Sequence, residues 1–293
     1  MSRKFYAMDT CFYNELGDYP LAVRCEMLKE LGFDGSYLTL WDVKEQAWKD
    51  FENIEEESAR NGLEVAGIYA SLDLDNTKER DRLLQLLPSL PAGCALELSL
   101  GSSKETFHKS SEAGDEVALQ LLEPLLEAVD PKRNQVCLYA HVRNWLEHHQ
   151  DALRLIQKSG HPALGWVFSS YHWYASQEGR LFSLLDEGVP SLRRVNLCGS
   201  RRSADGSYTL EPLDSGNVDS WAILGQILKR GFTGPIGIQG FGVGGDVYAH
   251  LRRGLSILRA WDQRIESHPH WADLSPIPLP WFGAPGKGPL LVP

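Results

Sequence analysis

Residues 231–246 read GFTGPIGIQGFGVGGD, and this stretch decides the fold. Its apolar run at 235–239 is short, bounded by glycines and followed by a helical pattern over 247–261; a buried parallel strand leaves such a run before a ligand-facing loop. The run predicts the last strand of a barrel, with functional groups at its end.

The same unit recurs back to the start of the chain. Strand-like runs at 5–8, 36–41, 64–70, 95–100, 135–140, 164–169 and 192–197 alternate with helical patterns at 20–31, 46–61, 79–87, 116–129, 145–159, 181–186 and 219–230. In the first helix Leu21, Cys25, Leu28 and Leu31 recur at helical spacing and Gly32 supplies the stop. Eight strand-helix pairs in about 260 residues predict a (β/α)8 TIM barrel. A doubly wound sheet would carry a glycine fingerprint after its first strand, where this chain has MDTCFYNELG.

Beyond Trp261 the texture changes, with seven of the 16 prolines in the tail beside Trp271, Trp281 and Phe282. The expected organisation is a barrel over 1–262 and a proline-rich, non-helical C-terminal extension over 263–293. Its aromatics suit a strap on the barrel or on a neighbouring subunit, the latter making a homo-oligomer; free disorder is the alternative.

Charge and cysteine usage narrow the partners. A formal charge of −10 opposes a phosphate-backbone binder, which needs a basic face, so no nucleic acid is expected. The five cysteines form no CxxC pair, and several lie in or beside apolar runs, as small buried thiols do. No run reaches the roughly 18 apolar residues of a membrane span, and the N-terminus MSRKFYAMDT has no apolar leader. The expectation is a soluble, cytoplasmic protein.

Side chains of a parallel barrel alternate between the helix layer and the interior, and the inward positions at each strand's C-terminal end line the site. On strand four the leucines at 96, 98 and 100 face helices, which sends Glu97 and Ser99 inward. The same parity points Cys137, Tyr139 and His141 inward on strand five, Ser169 on strand six, Asn196 on strand seven and Gln239 on strand eight.

At these residues the chain resembles the xylose isomerase-like TIM barrels, the group of sugar phosphate isomerases and epimerases that also contains endonuclease IV. Three pieces carry the resemblance: LGWVFSSYHWYAS from Leu164, VNLCGSRR from Val195, and PLDSGNVDSWAILGQILKRGFTGPIGIQGF from Pro212. The resemblance implies a divalent metal held by a Glu on strand five, an Asp three residues before a His after strand six, a His on strand seven and a Glu on strand eight. In this sequence those positions are Tyr139, Ser169, Asn196 and Gln239. A phenol, a hydroxyl and two amides are weak neutral dipoles, so no metal ligands and no cofactor are expected. The substrate-contacting half survives in the resemblance, with His172 at the sugar-binding His and Arg202, or Arg201 one step away, at the substrate-binding Arg.

The candidate catalytic residues are therefore His172 and Glu97, and the candidate substrate-binding residues are Tyr139, His141, Ser169, Asn196, Arg202, Gln239 and Trp41. A buried structural Glu97, or one paired with an inward Arg194, is the bland alternative. Trp41 and Trp173 offer flat faces to a sugar or fill the core. The glycines at 242, 244 and 245 suit either a phosphate or a tight loop, and His148 and His149 read as surface. The expected function is a sugar isomerase/epimerase-like protein taking a sugar, sugar phosphate or keto-sugar and moving a proton without a metal. A non-catalytic carbohydrate binder is the first alternative, and a metalloenzyme using Glu97, His141 and His172 the second.

Overall fold

The computed structural model describes residues 3–40 and 45–274. Eight parallel strands close into a barrel: β1 Phe5–Ala7, β2 Gly35–Leu40, β3 Glu64–Asp73, β4 Ala95–Gly101, β5 Gln135–Tyr139, β6 Leu164–Ser169, β7 Leu192–Leu197 and β8 Ile236–Ile238. Each pairs with its sequence neighbours, and β8 closes on β1 through Phe5↔Ile236 and Ala7↔Ile238. The decisive stretch is the closing strand, and Asp246 ends its loop by accepting the Ala249 N–H as N-cap of the last helix.

The helices packed outside are α1 Leu21–Leu31, α2 Glu45–Arg60, α3 Lys78–Leu86, α4 Asp115–Ala128, α5 His149–Ser159, α6 Ser170–Ala175, α7 Leu181–Gly188, α8 Ser220–Lys229 and α9 Val247–Ser267. Their apolar faces meet the outward side chains of the strands in one large core that includes Leu38, Ile68, Leu98, Leu138, Phe168, Leu197 and Ile238. A second, smaller cluster fills the barrel itself, with Tyr6, Tyr37, Tyr69, Cys137, Tyr139 and Val167. That separation is the period-two alternation of the strands made visible.

The barrel interior holds four tyrosines because small residues stand opposite them. A Cβ on Gly237 would lie 2.4 Å from the Tyr6 ring and 2.5 Å from Asn196 Oδ1, and one on Gly67 would lie 2.7 Å from the Tyr37 ring. Only a missing side chain leaves this space. Tyr6 and Tyr37 stack across it with centroids 5.7 Å apart.

Several segments differ from the sequence pattern. The helix expected from 145 begins at His149, because Trp145 and Leu146 are buried by a tight loop rather than by a helix face. His149 is accordingly wholly buried, which corrects its reading as a surface residue. The loop after β7 contains an antiparallel hairpin, Gly199–Arg202 with Tyr208–Glu211, and a smaller hairpin pairs Tyr13–Asn14 with Gly17–Asp18. The last helix runs past residue 261 to Ser267, and a short turn, Pro269–Ala272, follows it. Ala272 is buried there, and its carbonyl accepts from Gln226 Nε2 at 2.7 Å. Of the expected extension, residues 275–293 lie outside the described residues, as does Trp41. Among the described residues no helix is long and apolar enough to cross a membrane.

Candidate functional site at the C-terminal mouth

The inward positions stack in layers from the floor of the barrel to its mouth. In the lower part Glu97 is fully buried, accepts the Tyr37 hydroxyl at 2.6 Å and faces Arg194 Nε at 3.6 Å. Burial pushes its carboxyl up to about 7, against the opposing pull of the Arg194 charge and the Tyr37 hydroxyl. Beside it Tyr6 donates to Asn196 Oδ1 at 2.6 Å, while Asn196 Nδ2 is buried without a hydrogen-bond partner among the described residues. Glu97 and Asn196 thus belong to one interior network with Tyr6, Tyr37 and Arg194.

Above this network lies the group at the ends of β5, β6 and β8. Gln239 follows β8, its N–H fixed to the Leu197 carbonyl, and its amide meets Ser169 Oγ at 2.9 Å and His172 Nε2 at 3.5 Å. Ser169 closes β6 and caps α6, accepting the His172 N–H. The Tyr139 ring meets both Tyr69 and His172 edge-on, at 5.1 and 5.5 Å. Burial, with the nearby Glu97 charge, holds the Tyr139 phenol well above its ordinary value, so it stays protonated.

Two imidazoles face each other at the top, with His141 and His172 centroids 4.1 Å apart. Val142 fixes both. Its carbonyl lies 2.8 Å from His141 Nδ1, and because a carbonyl only accepts, His141 carries its proton on Nδ1 and leaves Nε2 as a free acceptor. Its N–H donates to His172 Nδ1 at 3.3 Å, which puts the His172 proton on Nε2; Gln239 Nε2, 3.5 Å away, is itself a donor and leaves that N–H unpaired in this tautomer. Burial lowers the His141 pKa, and burial together with His141 and His149 lowers that of His172 further, so both rings are neutral near pH 7.

A third histidine supports the group from behind. His149 Nε2 accepts the Ser169 N–H at 3.1 Å and its Nδ1–H donates to Glu178 at 2.7 Å. Glu178 also accepts the N–H groups of His149 and Gln150, at the first turn of α5. This buried clamp was not legible in the sequence, because Glu178 lies 29 residues from His149 and joins it only through the loop between α6 and α7.

The remaining candidates lie further out. Arg202 sits in the hairpin after β7, its guanidinium 5.6 Å from the Tyr208 ring, and Arg201 pairs with Glu211 at 3.0 Å. Trp173 packs against Phe168 in the outer core and donates to the Gly179 carbonyl, which places it behind the barrel wall. A cavity of about 640 Å³ opens over the ends of β3 and β4. Its lining residues Ser71 and Asn144 both bond Ser99, which also accepts the hydroxyl of the interior Tyr69. Among the described residues no three His, Cys, Asp or Glu are grouped to hold a metal ion, the set Glu97, His141 and His172 included.

Comparison with known proteins accords with this architecture. No curated protein sequence matches the chain. Among solved structures it is similar to the 3-keto-D-glucoside 4-epimerase of E. coli, with a TM-score of 0.68 and 18% identity over 88% of this chain and 100% of that one. It is also similar to the IolI protein with a binding zinc atom, with a TM-score of 0.68 and 15% identity over 93% and 100%. The probable 3-DHS dehydratase AsbF from Bacillus anthracis matches with a TM-score of 0.62 and 15% identity over 87% and 98%. Identities this low establish the fold and leave activity to the residues. The sequence model of the xylose isomerase-like TIM barrel matches residues 25–261, so the chain belongs to the xylose isomerase-like TIM barrel family.

Proposed function

We propose that the chain binds a sugar, sugar phosphate or keto-sugar at the mouth of the barrel and moves a proton beside its carbonyl without a resident metal. The observation that carries this reading is the complementary pair of imidazoles, one presenting a free ring nitrogen and the other an N–H. His141 Nε2 takes the proton from the carbon next to the carbonyl, and the electron pair of that C–H bond becomes the enediolate. His172 Nε2–H and the protonated Tyr139 phenol are the donors available to the developing oxyanion. Return of the proton from His141 to the carbon it left regenerates the starting sugar or its epimer; its return to the former carbonyl carbon, with the enediolate's hydroxyl proton passing to the former carbonyl oxygen, completes an isomerisation.

The roles differ from those expected from sequence. His172 spends its Nδ1 lone pair on Val142, so it suits the donor's part and His141 the base's. Glu97 is wholly buried against Tyr37 and is assigned to supporting the interior rather than to contact with a substrate.

The four positions where the family's epimerases carry metal ligands do not match a divalent cation. Tyr139 is held protonated, Asn196 Oδ1 is occupied by Tyr6, and Ser169 and Gln239 bond each other. None brings the negative charge that a hard cation takes from its ligands.

Proton exchange with solvent deuterium, followed by NMR over a panel of keto-sugars in the presence of a chelator, tests the proposal. Exchange that persists with chelator and disappears in His141→Gln supports it. Exchange that requires an added divalent metal, or that survives His141→Gln, removes it. Calorimetric saturation by a polyol with no exchange would favour the alternative of a non-catalytic binder, to which the mutual bonding of Ser169, Gln239 and Asn196 with their neighbours is also suited.

A further inference from the structure

The turn that carries His141 also carries Arg143, and the two side chains face different spaces. Arg143 has φ 79°, a left-handed conformation uncommon for a residue with a Cβ, and three bonds hold it there. His141 N–H reaches the Leu146 carbonyl at 2.9 Å, Asn144 N–H reaches the His141 carbonyl at 3.0 Å, and Arg143 N–H reaches Glu147 Oε1 at 2.8 Å. Asn144 Nδ2 ties the turn to Ser99 Oγ on β4 at 3.1 Å. Arg143 and Asn144 are thereby presented to the 640 Å³ cavity beside the mouth.

The charges lining that cavity are Asp73, Lys78, Glu79 and Arg143. Asp73 is engaged by Ser103 through both its N–H and its hydroxyl, and by Asn76 and the Asp75 N–H. Glu79 lies 3.7 Å from Lys78 Nζ. Glu147, the carboxylate nearest Arg143 along the chain, is taken by Lys109 and by the Arg143 backbone. The Arg143 guanidinium has no hydrogen bond or ion pair among the described residues, and its charge is felt by His141 and by Tyr171 on α6. A planar donor fork left unpaired at the edge of a ligand-sized cavity suits a carboxylate or phosphate.

We propose that the cavity over β3 and β4 receives an anionic end of the ligand, a phosphate or carboxylate carried by the polyol, on the guanidinium of Arg143. The proposal rests on the reading that a polyol binds at the mouth, and it makes that polyol an acid rather than a neutral sugar. Its reacting carbon lies at His141 and its charged end at Arg143, so one turn of chain sets both. Asn144 and Ser71, beside Arg143, offer an amide and a hydroxyl to the hydroxyl groups between.

Calorimetry of the full chain with a neutral ketose, the corresponding ketose phosphate and the corresponding aldonate tests this, each titrated into wild type, Arg143→Gln and Arg143→Lys. The expected result is that wild type binds one anionic ligand about tenfold or more tighter than the neutral ketose. That preference weakens as salt rises, is lost in Arg143→Gln and is partly kept in Arg143→Lys. Which of the two anions binds tighter separates phosphate from carboxylate. Equal binding of neutral and anionic ligands, or an anion preference unchanged in Arg143→Gln, overturns the Arg143 site and leaves the mouth reading standing. Failure of all three ligands to bind wild type overturns both.

Discussion

One residue, Val142, orients two imidazoles at once, giving its N–H to His172 Nδ1 and taking the Nδ1–H of His141 on its carbonyl. Because the two ends of a peptide have opposite hydrogen-bonding sense, the rings are held as opposite tautomers. His141 is left with a free Nε2 and His172 with an Nε2–H, on rings whose centroids lie 4.1 Å apart. This relationship sets the first prediction.

His141→Gln should lower turnover of a confirmed substrate by about 100-fold or more, the usual worth of a general base. The pH profile follows from the direction of its pKa. A base acts when unprotonated, and burial lowers His141 below the ordinary histidine value. The rate in wild type should climb with pH on the acid side, with the midpoint of that limb below the ordinary histidine value of about 6.5. An acid limb lying above pH 7, measured as kcat/KM against pH, would assign the base to another group.

The Glu97 carboxyl gives a stability signature. Its folded pKa is about 7 against an ordinary 4.5, so between these values the native state holds a proton that the unfolded state has lost. Stability from this group is greatest below pH 4.5 and falls as pH rises toward 7, by on the order of 3 kcal/mol. Urea unfolding at pH 5 and pH 7.5 should show that decline in wild type and a smaller one in Glu97→Gln. An identical decline in both proteins would place Glu97 in a more hydrated setting.

Gly237→Ala should destabilise the barrel by about 1–3 kcal/mol or more, since the new methyl meets the Tyr6 ring and Asn196 Oδ1 at less than contact distance. The Tyr6–Asn196 hydrogen bond should be lost with it. An unfolding midpoint unchanged from wild type would mean that the interior tyrosines move aside freely.

The His149–Glu178 clamp predicts a local effect. Glu178→Gln removes the charge that accepts His149 Nδ1–H and two backbone N–H groups, at a cost of about 1–3 kcal/mol. Amide exchange at Ser169, which donates to His149 Nε2, should accelerate with it. Unaltered protection at Ser169 would show that β6 and α6 hold that end without the clamp.

Much of the architecture was legible because it depends on patterns within reach of one segment. Alternation on β4 sends Glu97 inward, and the same rule puts Tyr139, Ser169 and Asn196 inside the barrel. The glycine-bounded run at 235–239 announced the closing strand, whose hydrogen-bonded pairs are Ile236–Ile238. The start of α5 was misread because Trp145 and Leu146 are buried by a loop, and burial has no helical signature when the partner is distant in sequence. The hairpin after β7 escaped notice since its residues, Gly199–Arg202 and Tyr208–Glu211, carry polar side chains and turn signals that equally describe a loop.

By itself the sequence determined the alternating strands and helices, the inward parity of the barrel residues and the neutral side chains of Tyr139, Ser169, Asn196 and Gln239. These follow from period and residue type, which are local. The tertiary structure alone decided which nitrogen of His141 and of His172 carries its proton, that His149 is buried against Glu178, and that Arg143 stands at a cavity with its guanidinium unpaired among the described residues. Each of these depends on which donor or acceptor the fold places within about 3 Å of a given atom, and hydrogen bonds are directional and short. No spacing along the chain specifies that distance until the barrel has closed.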